Sequence, residues 1–406
     1  MPKEARKTVQ NRQMFYIPGY DPVPPRRYRE LYRKEGAEQA AISDYSLEMR
    51  PKAKDAKNFG WGVTAEIDGT KTHTQAEILF WADIVQTSMN QNIVGTYLLM
   101  VRTAWEYIGS GALFGLMKLR IGPVLAALYP VAMLLLQLFV ALLLGLSSFY
   151  LAKIYIHWAV GFAGSVAVFY IILWWFKRKD AQLFAYYLMH DYGFSAKYKG
   201  QNPPELEERM AIFNDRIADA LQSDVDEVLI VGHSSGAHLA VSILADLIRQ
   251  GRVRENGPRL SLLTLGHVIP MVSFLRKADR LRADLNFLCQ QDGLAWVDVS
   301  APGDGATFAL CDPAAVTGVA PENGHKHPLI LSAAFSQTLS QAKLKELGRR
   351  FFRLHFQYLC AFDRPGDYDY FKVTAGPLLL TDRFSHRNHS PSRITRAVNP
   401  NTSMLL

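Results

Sequence analysis

Between Ile121 and Phe176 the chain carries one charged side chain, Lys153. The uncharged stretches on either side, 121–152 and 154–176, are each longer than the roughly 20 apolar residues that cross the hydrocarbon core of a bilayer. A helix on the surface of a soluble domain keeps a polar face, and neither stretch has one. The pattern predicts a transmembrane hairpin with helices at 124–147 and 155–176, turning near Gly145, Ser147, Ser148 and Lys153. The alternative is a very apolar hairpin buried in a soluble core. Lys118 and Arg120 precede the hairpin and Lys177, Arg178 and Lys179 follow it, so the positive-inside bias puts both flanks in the cytoplasm. Tyr150, Tyr155, Trp158, Trp174 and Trp175 fall near the expected interfaces. Gln137 and His157 are the notable polar residues inside, and His157 is read as reaching for the far interface. Residues 92–117 are also apolar-rich but contain Arg102 and Glu106, four apart and able to pair on one helix face. That segment is expected to lie on the membrane surface, with a third crossing as the alternative.

Outside this block the chain has ordinary globular composition. Its 406 residues are 49% hydrophobic, enough for one large core or two. The net charge of +8 comes without a basic stripe interleaved with aromatics, which argues against nucleic acid. Basic residues crowd instead near the N-terminus (Lys3, Arg6, Lys7, Arg26, Arg27, Arg29) and beside the apolar block, as an anionic membrane surface would attract. Cys289, Cys311 and Cys360 are widely spaced and odd in number, so no disulfide framework or zinc spacing follows and a reducing compartment fits. Residues 1–13 lack the apolar core of a secretory signal. The expected location is a membrane, the inner membrane in a bacterial cell.

The pentapeptide Gly232-His233-Ser234-Ser235-Gly236 is the densest local signal. The β-branched run Glu227-Val228-Leu229-Ile230-Val231 precedes it, and a helix-like stretch, 237–245, follows. Strand, G-x-S-x-G, helix is the pattern of a nucleophile elbow. The chain reverses so sharply at the serine that side chains two positions away would collide, hence Gly232 and Gly236. The turn would lift Ser234 clear of the sheet, at a helix N-terminus whose N–H groups can face an anion.

Other segments alternate between strand and helix. Residues 14–17 read as a buried strand ending in the turn Pro18-Gly19-Tyr20-Asp21-Pro22, and 26–40 as a helix. Strands are expected at 62–67 and 74–80, joined by Asp68-Gly69. Helices are expected at 181–190 and 205–221, and strands at 260–265, 295–299 and 349–354. The tail from Ser385, rich in Ser, Arg, Asn and Pro, is expected to be mobile. Strands separated by helices predict an α/β fold with a mainly parallel sheet covered on both faces. The chain divides into 1–91, a membrane-associated insertion 92–180, a second part of the same α/β domain 181–384, and the tail 385–406.

The segments FYIPGYDP at 15–22, EVLIVGHSSGAHLA at 227–240 and LLTLGH at 262–267 resemble the α/β-hydrolase superfamily, serine esterases and lipases especially. The likeness covers most of the chain outside 92–180, and the elbow is its most specific part. It implies a serine nucleophile, then an acid, then a histidine, each at a strand end. A serine hydroxyl needs a base to take its proton, and the base needs a carboxylate to orient it. In 296–305, Asp304 lies in a Pro-Gly loop after an apolar run, where the resemblance places the acid; Asp298, inside the run, is the alternative. His355 is the favoured base, 51 residues beyond Asp304, although Phe352, Phe356 and Leu359 also suit a helix that would make it a core histidine. His386 and His389 are the alternative bases, whereas His325 and His327 are read as surface residues. The resemblance gives one oxyanion donor as the Ser235 amide and the other from the turn at Gly19-Tyr20; Pro18 has no N–H, so Tyr20 is preferred. That turn departs from the His-Gly-Gly of many lipases.

The expected activity is hydrolysis of an acyl ester, of a lipid or another apolar substrate, by an acyl-enzyme route using Ser234, His355 and Asp304. The alternative is a hydrolase-like membrane scaffold without turnover. No phosphate-binding glycine loop is present, so neither ATP nor NAD is implied, and no cofactor or metal is expected. Acyl chain, head group, thioester or ester, and oligomeric state stay open at this level.

Overall fold

The first strand of the chain lies in the middle of the sheet, and the site grows out of that placement. The computed structural model describes residues 8–52, 58–348 and 350–405; Lys3, Arg6, Lys7 and Arg349 lie outside them. Among the described residues eight strands form one sheet: β1 (Asn11–Ile17), β2 (Ser46–Arg50), β3 (Gly60–Ile67), β4 (Thr70–Ile78), β5 (Glu227–His233), β6 (Arg259–Leu265), β7 (Leu294–Ser300) and β8 (Leu329–Ser332). Their spatial order is β2-β3-β4-β1-β5-β6-β7-β8. β3 runs antiparallel to both neighbours; all other pairs are parallel. After β1 the chain crosses to the edge strand β2 and returns inward through β3 and β4 to lie beside β1, whereas from β5 it proceeds outward through β6, β7 and β8. The C-terminal ends of β1 and β5 therefore diverge at a topological switch point, where such sheets bind ligands. Ile17 pairs with Gly232 there, so the turn after β1 meets the turn after β5.

Both faces of the sheet are covered, which is why β5 is buried throughout. Phe15 and Ile17 pack with the helices Pro204–Leu221, Gly236–Arg249 and Asp279–Leu288 on one face. Met14 and Tyr16 pack with Arg26–Ser43 and Tyr370–Ala375 on the other. Asp68 and Gly69 both take positive φ, as a tight two-residue hairpin between β3 and β4 needs. At the opposite end of the sheet from the site, buried Arg12 on β1 donates to Glu227 on β5 at 2.7 Å and to the carbonyls of Gly376 and Leu378.

Several expectations change. The first apolar helix runs unbroken from Ile121 to Tyr155, and the reversal comes at Ile156 and His157, not near Ser147. Serine, glycine and lysine do not end a helix unless a tighter turn competes, and here none does. Pro130 is accommodated within that helix, and the second helix is Trp158–Arg178. Both helices are long and apolar enough to cross a membrane, and little of either is buried. Pro130, Leu134, Gln137, Ala141 and Gly145 form the buried stripe of the first, while Phe139, Leu142, Leu143, Leu146 and Leu151 are exposed. Close approach of the pair depends on glycine: a Cβ on Gly161 would lie 2.9 Å from the Phe149 carbonyl oxygen. Helix Ile93–Gly109 exposes Val94, Leu98, Val101, Trp105 and Ile108 along one face. Its Glu106 is buried and faces Arg276 at 3.9 Å in place of the expected Arg102.

The segment 351–355 is helical, not a strand: the four-residue spacing of Phe352 and Phe356 follows the helix period. The helix expected at 181–190 is interrupted at Phe184, which has φ 55°, and resumes as Ala185–Lys197. The tail is tied down, not mobile. Ile394 exchanges hydrogen bonds with the backbone around Leu310 and Asp312, and the Asn399 and Asn401 side chains donate to the carbonyls of Ser273, Thr317, Ser110 and Phe274. Its polar composition supplies these anchors.

Candidate active site

Ser234 sits at the end of β5 with φ 56°, a left-handed conformation that a side chain adopts only when its surroundings impose it. Its N–H donates to the Leu265 carbonyl at 2.9 Å. A Cβ on Gly236 would fall 2.1 Å from the Ile17 carbonyl oxygen, and one on Gly232 would fall 2.8 Å from Ala237 Cα, so neither glycine can be replaced without moving backbone. Helix Gly236–Arg249 starts directly after the turn. Gly19 closes the site from the β1 side; its missing Cβ would lie 2.9 Å from Ser234 Cβ. Among the described residues the Tyr20 and Ser235 amides have no acceptor. Tyr20 is fixed by its carbonyl, which accepts from Tyr187 Oη at 2.7 Å, and by its hydroxyl, which meets Ser88 Oγ.

Asp304 lies in the loop after β7 and His355 at the end of helix Phe351–His355. His355 Nδ1 and Asp304 Oδ2 are 2.7 Å apart. The same carboxylate oxygen accepts from Tyr358 Oη at 3.0 Å, and Oδ1 accepts from the Ala306 amide at 3.0 Å. Burial opposes charge on Asp304, but the His355 charge and these hydrogen bonds outweigh it and its pKa is lowered. Burial likewise opposes charge on His355, and the Asp304 charge and hydrogen bond outweigh it in the other direction, raising its pKa. An Nδ1–H held by the carboxylate leaves Nε2 as the basic nitrogen. Ser234, His355, Gly19, Tyr20 and Ser235 line one cavity of about 80 Å³.

His233 is also fixed here. Burial and the nearby His355 charge lower its pKa to about 3, so it is neutral, and its Nε2–H donates to the His355 carbonyl at 3.0 Å. It thus positions the backbone of His355. His238, by contrast, packs in the interior away from the serine cavity.

The alternatives lie elsewhere. Asp298 is buried within β7, accepts from Thr264 Oγ1 at 2.7 Å, and sits 3.8 Å from His267. Its place inside the strand keeps it from the loop where His355 is met. His386 is exposed near Asp367, and His389 Nδ1 accepts from the Ile330 amide; neither lines the cavity.

Two groups in the site escape the sequence patterns. Tyr358 reads as one more core aromatic until the fold brings it under Asp304. Asp191, on helix Ala185–Lys197, faces the same cavity, and burial pushes its pKa up to about 7 against the opposing pull of His355. A lone carboxylate in the apolar helix 185–196 was the available signal. The hairpin also contributes: Pro123 lines the cavity, and Gly122 approaches Gly305, beside Asp304.

No family model matches the chain, and neither a curated protein nor a solved structure matches it.

Proposed function

We propose that the chain is a membrane-bound serine hydrolase, α/β-hydrolase-like in fold, that cleaves an acyl ester of a lipid or other apolar substrate. The observation that carries the reading is the 2.7 Å His355–Asp304 hydrogen bond on the wall of the cavity lined by Ser234. Ser234 Oγ attacks the acyl carbonyl carbon while His355 Nε2 takes its proton. Asp304 stays ionised, holds the imidazole tautomer and stabilises the imidazolium. The oxyanion accepts from the Ser235 and Tyr20 amides. The carbon–oxygen ester bond then breaks, and the departing alcohol takes the proton from His355. Water attacks the acyl-enzyme by the same route, releasing the acid and restoring Ser234. In this reading the hairpin crosses the bilayer, with both ends and the catalytic domain on the cytoplasmic side, and substrate comes from the membrane.

The test is labelling of isolated membranes with a fluorophosphonate, using the native chain, Ser234→Ala and His355→Ala. Labelling of the native chain alone is the expected result. Absence of labelling, repeated with a smaller sulfonyl fluoride because the cavity is narrow, would turn the assignment to an inactive membrane scaffold.

A further inference from the structure

The cavity at Ser234 has room for an ester group but not for a lipid. Beside it lies a second cavity of about 950 Å³, at the upper end of the roughly 300–1,000 Å³ common for ligand sites. Leu188, Phe352 and Phe356 line both cavities, so the two lie side by side with these apolar side chains as their common wall. Ala126 and Tyr129 of the first hairpin helix line the large cavity, and Pro123, a turn earlier on that helix, lines the small one. The opening turns of one helix thus border both cavities.

The charge at the large cavity is lopsided. Among the described residues Arg27, Lys34, Arg350 and Arg353 line it, against the single carboxylate of Glu35. The carboxylates near these cations stand off: Asp21 from Arg27 and Glu35 from Lys34 at 4.0 Å, Glu346 from Arg350 at 3.9 Å and from Arg353 at 3.8 Å. Charge-assisted hydrogen bonds are shorter, about 2.7–2.9 Å. Glu35 is engaged elsewhere, accepting from the Ala361 amide at 3.1 Å. The Arg27 guanidinium lies 5.2 Å over the Phe356 ring, at the shared wall itself. Cations with no close carboxylate among the described residues, beside an apolar chamber, match an amphiphile with an anionic head.

We infer that the large cavity binds the substrate and that the substrate is an acyl lipid with a phosphate-bearing, net anionic head group. The phosphate lies among Arg27, Lys34, Arg350 and Arg353, the acyl chain along Tyr129, Leu183 and Phe184, and one ester carbonyl passes Phe352 and Phe356 to reach Ser234. This rests on the hydrolase reading above.

The full chain is reconstituted in vesicles of fixed anionic content, so that surface charge is constant. The vesicles carry a trace of labelled phosphatidylglycerol or labelled phosphatidylcholine with identical acyl chains. The rate ratio should favour the anionic ester by about tenfold, one well-placed charge-assisted contact. It should fall toward one in Arg350→Glu/Arg353→Glu and be largely kept in Arg350→Lys/Arg353→Lys. Each variant is its own folding control, because both rates come from one preparation. A native ratio of one, a ratio unmoved by the charge reversal, or hydrolysis of neither lipid by a chain that labels with fluorophosphonate would overturn the inference and leave the hydrolase reading standing. Failure to label would overturn both.

Discussion

A base whose pKa has been raised must lose its proton before it can accept one from serine. In the proposed mechanism His355 is such a base, its pKa raised because the Asp304 charge and hydrogen bond outweigh burial. The ratio kcat/KM should therefore rise with pH through an apparent pKa above 6.5. The groups facing His355 are Asp304, Asp191 and His233, and His233 stays neutral. Negative charge on Asp191 stabilises the imidazolium, so Asp191→Asn should shift the acid limb to lower pH while the alkaline plateau moves little. A pH–rate profile on a small soluble ester measures this, and a limb that does not move removes Asp191 from the electrostatics of the site. Ser234, Asp304 and His355, which the fold brings to one site, could be singled out from local patterns, a glycine-flanked turn, a Pro-Gly loop and an aromatic run, although the strand expected before His355 is a helix. Asp191 and Tyr358 were not, because their roles arise only when segments about 50 to over 150 residues away fold against them.

The same division between local and long-range information holds for elements. β1, β5, β6 and β7 are apolar runs bounded by turn residues, and they were readable to within a few positions. β8 is four residues long, too short for a pattern, and 351–355 carries aromatics that suit a strand or a helix equally. The placement of β1 in the middle of the sheet is set by pairing with β4 and β5, not by its own residues. The first hairpin helix was legible as apolar, but its double use was not. Its opening turns belong to the α/β domain: Val124 is buried in a core with Phe274 and Phe308, and Tyr129 Oη donates to the Leu183 carbonyl. A Cβ on Gly122 would lie 3.1 Å from Gly305 Cα, next to Asp304. Gly122→Ala should be mild, whereas Gly122→Leu should push the acid loop away and lower kcat on a small ester by about 10²-fold, the cost of a misplacement near 1 Å. Membrane attachment should be unchanged. Equal activity of the two variants would show that the loop yields without moving Asp304.

At the scale of the whole molecule, attachment and chemistry should be separable, because they use different lengths of the same helices. Up to Leu134 the first helix is packed on the α/β domain; beyond it about 30 Å of mostly exposed helix remains, one bilayer core in length. Gly145 meets Ser165 across the pair, so the outer ends of the two helices can be removed together. A chain lacking 142–170, rejoined by a short glycine-serine turn, keeps Ala141 and Leu173 packed on Ile93 and keeps every residue that lines the serine cavity. The native chain should resist extraction from membranes by alkaline carbonate, and the shortened chain should be released. Release need not mean loss of affinity: the exposed face of Val94, Leu98, Val101, Trp105 and Ile108 remains, and it should still hold the shortened chain reversibly on vesicles. Ser234 labelling by a soluble fluorophosphonate should persist in the shortened chain, because no described residue lining the serine cavity lies in the removed segment. Hydrolysis of a vesicle lipid should fall more than hydrolysis of a soluble ester, since only the former depends on holding the large cavity at the membrane. Carbonate resistance of the shortened chain would mean that Ile93–Gly109 or the base of the hairpin is itself inserted, and that the substrate path opens within the bilayer rather than at its surface.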